Sequence, residues 1–203
     1  MGFEVSEKVM ALNAKLEAFM EEHIYPREHD WNEWTLNQDN LWETPPWFDE
    51  LRELAKADGL WNLFLPHEYE PWSPGLTNVE IAPLFETMSK VTWAQAVFNC
   101  NAPDRGNMEV LAKYGTHEQQ EQWLKPLLAG EIRSSYDMTE PQVESSEATN
   151  IELDIRRDGD EYVLNGRMWW TTCAINPRCK IMLVMGKSNP ENDRHRQHST
   201  ILV

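Results

Sequence analysis

The stretch YDMTEPQVESSEATN, residues 136–150, carries four carboxylates (Asp137, Glu140, Glu144, Glu147) and five hydroxyl side chains around a single proline. Groups of these types support two kinds of chemistry. A hydroxyl beside turn N–H groups stabilises negative charge as it develops on a ligand, and a carboxylate within reach takes a proton. The same composition also describes a solvated linker between two folded parts. Glu140, directly before Pro141, is more economically a loop-fixing acceptor than a base. Further along, Trp169-Trp170-Thr171-Thr172 sets two hydroxyls beside two large rings. Read as a strand, the adjacent tryptophans point to opposite faces, one of them into plain core. The histidines pair as His23 with His29 and His195 with His198, without a third or fourth ligand nearby, so they read as solvated surface residues rather than a zinc site.

The elements that must hold these groups change character along the chain. Val5, Val9, Leu12, Leu16 and Phe19 step by four and three, which lines one face of a helix beginning after Ser6. Pro26 ends that pattern, and 29–44, rich in Trp, Asn and Asp, reads as loop. A second helix is expected from TPPWFDELRELAKADG, with Thr44 as cap, Gly59 past its end, and Trp47, Leu51, Leu54 and Ala55 facing inward. Thr77 with Glu80, and Thr116 with Gln119, form capping-box pairs. Each opens a helix that contains a proline, Pro83 or Pro126, so each helix must kink or restart. Beyond residue 134 the pattern turns to strands. IELDIRRDGDEYVLNG reads as a hairpin turning at Asp158-Gly159, CKIMLVMGK as a strand, and STILV as the start of another. The expected fold class is therefore α+β: helices over 1–133, then a β part over 134–203 that stops in mid-strand, as if cut.

With 203 residues, 41% hydrophobic and ten tryptophans, the chain can bury a sizeable core. A formal net charge of −16 repels phosphate backbones and anionic lipid, which argues against nucleic-acid and membrane-surface partners. No apolar run is long enough to span a bilayer. Cys100, Cys173 and Cys179 are few and widely spaced, which fits a reducing compartment without a disulfide framework. Met1-Gly2 with Ser6 matches a loose myristoylation pattern, but Ser6 reads better as a helix cap. The start of the chain carries no visible address; an intracellular setting, cytoplasmic before mitochondrial or peroxisomal, is the expectation.

Taken together, these segments resemble the acyl-CoA dehydrogenase family. Met138-Thr139-Glu140-Pro141 followed by Gln142 to Ser146 and Glu147 is similar to its flavin-binding signature, and Asn165-Gly166 with Trp170-Thr171-Thr172 to its second flavin element. KYGTHEQQEQWLKPLLAGEIRSS and DGLWNLFLPHEY resemble the family's approach to these motifs. TEPQVESSEATN and NPRCK look most like the subgroup of human family members ten and eleven. Departures are an acidic loop longer by one residue, Asp137 and Glu144 where small neutral residues are common, Glu147 for Asp, Met168 for Lys, and Thr171 for Ile.

The resemblance implies an amino-terminal helical domain, an incomplete antiparallel, barrel-like middle domain, and no carboxy-terminal helical bundle within these residues. It implies FAD as cofactor, an acyl-CoA thioester as substrate, electron-transfer flavoprotein as acceptor, and a homo-oligomer at full length. Met138 and Thr139 would meet one edge of the flavin ring and Thr172 the opposite edge. Thr171 would flank Thr172, Trp170 would shield the ring, Tyr136 would frame the pocket, and Ser145 or Ser146, with Ser146 preferred, would contact the CoA portion. The base lies on the absent bundle, so no catalytic residue is assigned and this stretch alone is expected to be inactive. Two other readings share the motifs: a non-catalytic helical binding or assembly module, and a flavin oxidase of the same superfamily.

Overall fold

A computed structural model describes residues 5–37, 39 and 42–203. The chain divides into two compact units, Met1–Leu128 and Ala129–Val203. Met1 and Gly2, which carry the myristoylation pattern, lie outside the described residues.

The first unit is helical. Ser6 caps α1 (Glu7–Phe19) by accepting the Val9 N–H, so its hydroxyl has the structural role expected of it. Val9, Leu16 and Phe19 are buried, whereas Val5 is exposed. Helix α1 runs into a π turn, Met20–Ile24, that ends two residues before Pro26. A second π turn, Gln120–Leu124, ends two residues before Pro126. The cause is the same in both. A proline ring collides with the carbonyl four residues back, and widening the turn by one residue moves that carbonyl aside. The chain therefore passes Pro126 without stopping, from α7 (His117–Gln119) through the π turn into α8 (Lys125–Ala129).

Both capping boxes form. Thr77 opens α4 (Asn78–Met88), which keeps Pro83 inside it, and Thr116 opens α7. Two expectations need correction. Much of the segment expected as loop is α2 (Glu28–Leu36), whose Trp31 stacks on Trp93 at 5.0 Å and meets Trp47 and Phe48. Aromatic packing rather than a periodic stripe selects that helix. Helix α3 (Phe48–Ala57) starts later than Thr44; its N-cap is Trp47, and Leu54 faces solvent. Short α5 (Ala94–Val97) and α6 (Asp104–Tyr114) complete the set. Asn62 and Asn99, both at positive φ, converge with the Trp61 indole on the Leu127 and Leu128 carbonyls and so cap the unit's last helix.

The second unit is a five-stranded sheet built around β4 (Cys179–Lys187). On one edge of β4, β1 (Arg133–Asp137) and then β2 (Asp154–Asp158) pair in parallel; on the other edge β5 (His198–Leu202) pairs antiparallel. Strand β3 (Glu161–Asn165) closes the hairpin with β2. Asp158 pairs with Glu161, so the turn is Gly159-Asp160, one residue later than expected, with Gly159 at φ +63°. Helices followed by an incomplete barrel-like sheet is the arrangement expected, and no helical bundle follows the sheet within the 203 residues. The sheet is mixed rather than purely antiparallel, because β1 reaches β4 only after a long excursion that permits parallel pairing. Its core is Ile151, Leu153, Ile155 and Val184, with Met138, Leu164, Met168, Met182, Met185 and Ile201 packed around them.

Candidate flavin and acyl-CoA site

Because Asp137 pairs with Val184 and Asp154 with Lys187, the 138–153 loop leaves and rejoins the same edge of β4 three residues apart. The return passes directly over Gly186. A Cβ there would lie 2.6 Å from Leu153 Cδ2 and 2.7 Å from the Leu153 carbonyl oxygen. Gly166, on the far side of Leu153, leaves equally little room, with Leu153 Cγ 2.9 Å from where its Cβ would be. Leu153 is thus seated between two glycines, and the glycine inside the apolar run of β4 marks a close approach of backbone.

Inside the loop the polar groups satisfy one another. The buried Glu140 carboxylate accepts the Glu152 N–H at 2.9 Å and the Leu153 N–H at 2.5 Å, while the Glu140 N–H donates to Ser145 Oγ at 2.8 Å. Glu140 is therefore the loop-fixing acceptor that its place before proline suggested. Glu147 accepts both the hydroxyl and the N–H of Thr149, and these two bonds hold its carboxyl below the usual range. From the β4–β5 connection Arg194 Nε donates to Thr149 Oγ1 at 2.9 Å, and from the start of β5 His198 Nε2 donates to the Ile151 carbonyl at 2.9 Å. Sequence reasoning did not single out Arg194 or His198 as anchors. Nothing local marks a side chain that reaches across more than forty residues.

The second motif segment follows β3 and lies in irregular turns, not on a strand. This corrects the expectation for the tryptophan pair. With Trp170 at φ +53°, the Trp169 and Trp170 rings do not alternate across a sheet but lie 5.4 Å apart with planes tilted by 49°. A large side chain in the left-handed region is a strained position that the surrounding structure must hold. Cys173 has φ +73°, and Arg133 Nη2 approaches its sulfur at 3.0 Å. The Thr171 and Cys173 carbonyls close successive turns with the N–H groups of Ala174 and Asn176, and the Arg178 guanidinium reaches the Gly130 carbonyl.

The two motif segments meet: the Trp169 N–H donates to the Thr139 carbonyl at 3.0 Å. Thr139, Trp169, Trp170, Thr171 and Thr172 therefore lie on neighbouring stretches of backbone. Thr139 and Thr172 are exposed, Thr171 is partly covered, and Trp170 is 79% exposed. Met138 turns inward against the sheet core. Tyr136, on β1 beside Leu183, directs its hydroxyl at the Met185 sulfur, 3.7 Å away. The two candidate serines separate cleanly. Ser145 is buried with its hydroxyl bound to Glu140, whereas Ser146 is exposed. Asp137 is buried and accepts the Ser135 hydroxyl at 2.7 Å; Glu144 is exposed. Among the described residues no cysteine forms a disulfide, and Cys100 is buried in the helical unit. Among the described residues no helix is long and apolar enough to cross a membrane.

Chemically, such a rim offers exposed threonines from two turns, an exposed aromatic ring, and a loop, tied at its neck, that carries an exposed serine. That set suits a planar, hydrogen-bonding ring with a polar ligand beside it. Comparison with known proteins supplies the family. Residues 6–131 match the acyl-CoA dehydrogenase amino-terminal domain. The chain is 48% identical over 202 residues to mouse acyl-CoA dehydrogenase family member 10, covering 98% of this chain and 19% of that protein. It is also 48% identical over 205 residues to human acyl-CoA dehydrogenase family member 11, covering 99% of this chain and 26% of the human protein. A solved structure of an acyl-CoA dehydrogenase candidate from Mycobacterium abscessus superposes with a TM-score of 0.91 at 44% identity, over 98% of this chain and 51% of that one. The chain spans 19%, 26% and 51% of the lengths of these three relatives. With its helical unit matched across 6–131 and relatives of this similarity along its whole length, the chain belongs to the acyl-CoA dehydrogenase family.

Proposed function

We propose that the chain is the amino-terminal and partial middle portion of an FAD-dependent acyl-CoA dehydrogenase that introduces an α,β double bond into acyl-CoA thioesters in fatty acid β-oxidation. The observation that carries this reading is the 3.0 Å bond from the Trp169 N–H to the Thr139 carbonyl, which joins the two motif segments on one rim. The residues present fit the cofactor. Thr139 and Thr172 expose hydroxyls, the Trp170 ring is open to a flat partner, and the loop between them is already fixed.

FAD, when bound, supplies the two-electron acceptor that dehydrogenation requires. The chain's own residues bind and orient. Met138 and Thr139 would hold one edge of the ring, with the Thr139 hydroxyl as donor, and Thr172, flanked by Thr171, would hold the other. Fixed donors of this kind favour added negative charge because they need no reorganisation when it appears. Trp170 would cover the ring and exclude water, and Tyr136 would bound the pocket. Ser146, whose neighbour Ser145 is spent inside the loop, would face the acyl-CoA. No residue of this stretch is assigned as the α-proton base, so the 203 residues alone turn nothing over. Electron-transfer flavoprotein as acceptor and a homo-oligomeric full-length protein complete the reading.

The test is spectroscopic. A longer form of the protein should purify yellow and bleach on addition of an acyl-CoA, while the 203 residues show no turnover. A colourless protein that takes up no FAD refutes the proposal.

A further inference from the structure

We infer that Glu140 is a positioning residue for the dehydrogenation proposed above: its buried carboxylate clasps the neck of the 138–153 loop and so fixes both the peptide of Thr139 and the turn of Ser146. The inference rests on that functional reading but goes beyond it, because it assigns a role to a group that touches neither ligand.

A stretch this long without strand structure is ordinarily mobile unless something closes it. Here its ends stand on one edge of β4, opposite Val184 and Lys187, and one buried side chain bridges the two arms of the neck. One carboxylate oxygen takes the N–H of Glu152 and the other that of Leu153, two consecutive main-chain donors. The Glu140 N–H is given to Ser145, and the preceding carbonyl, that of Thr139, receives the Trp169 N–H. One residue thus ties the loop at 145, 152 and 153, and its neighbour ties the second motif segment. Among the described residues Glu140 makes no ion pair, so its charge is met by main-chain N–H groups. Both oxygens accept main-chain N–H groups and the side chain is buried, away from an incoming ligand. Glu140 positions and does not act as base.

The chemistry requires a carboxylate of this length. Glutamine offers one acceptor oxygen and turns an NH2 toward the second N–H, so one bond becomes a donor–donor contact. Aspartate keeps both oxygens but draws them back by a methylene.

The experiment compares wild type, Glu140→Gln and Glu140→Asp by amide exchange in the unliganded chain and by FAD titration followed through flavin fluorescence. Exchange at Glu152 and Leu153 should quicken roughly tenfold or more in the Gln variant. FAD affinity should fall by a comparable factor, about tenfold, while the amide of Leu111 in α6 is unchanged; the Asp variant should fall between. Unchanged exchange at both amides, or fast exchange with wild-type FAD affinity, overturns the inference. If the Gln variant does not fold, Glu140→Asp and Ser145→Ala carry the test with the same expected direction. A longer wild-type protein that takes up no FAD sinks the functional reading and the positioning role together, and the exchange arm then records a structural clasp only.

Discussion

Replacing Gly186 by alanine places a methyl carbon 2.6 Å from Leu153 Cδ2, 2.7 Å from the Leu153 carbonyl oxygen and 2.8 Å from Ile155 Cδ1. Two of these neighbours are side-chain ends that can swing. The third cannot, because the Leu153 carbonyl is held by the Lys187 N–H at 2.7 Å and by the pairing of β2 with β4. Relief therefore requires the loop return to lift off β4 and give up that bond. Overpacking usually costs about 1–3 kcal/mol, and a main-chain obstacle puts this site near the top, at about 3 kcal/mol. Such a loss raises the open population roughly a hundredfold. Amide exchange reads it directly. Lys187 should exchange roughly a hundredfold faster in Gly186→Ala, and the amides of α1 in the helical unit should be unaffected. Exchange at Lys187 within a factor of about three of wild type would show that the neck yields more easily than these contacts imply.

Other outcomes are expected from the same geometry. Trp170→Gly releases a large residue from φ +53° and should raise the melting free energy by roughly 0.5–1 kcal/mol while weakening FAD uptake, as a melt paired with a flavin titration would show. Glu147, held low by Thr149, contributes stability that is present above its unfolded-state pKa and lost as pH falls through its lower folded value. In an NMR titration its carboxyl should protonate below an ordinary glutamate, and Thr149→Val should bring it back up. Burial pushes the Cys100 thiol up to about 12, so alkylation of the native chain at neutral pH should label Cys173 and Cys179 and spare Cys100; early loss of Cys100 would contradict that burial.

Legibility in the sequence followed the physics of each element. Thr77 with Glu80 and Thr116 with Gln119 were readable because a capping box is a local contract between residues three apart. Strand β4 was readable as a short apolar run. Strand β1, RSSYD, was not, because it buries Ser134, Ser135 and Asp137 rather than apolar side chains. Helix α2 was hidden for a related reason: Trp31 is stabilised by Trp47, Phe48 and Trp93, which lie far along the chain. At the candidate site the residue types and their order were legible, as was the structural role of Glu140. The Trp169–Thr139 bond and the anchors Arg194 and His198 were not, since main-chain partners and long reaches leave no mark on composition. The glycine within CKIMLVMGK was a usable signal for the close approach at Gly186, and it went unread.

In the proposed function two turns, one carrying Thr139 and the other Thr172, grip opposite edges of one flavin ring. A crystal structure of the protein soaked with FAD tests it most directly. Isoalloxazine density is expected with the Thr139 hydroxyl at one edge, the Thr172 hydroxyl at the other and Trp170 against the ring; flavin density elsewhere on the molecule, or none at saturating FAD, would overturn the proposed function.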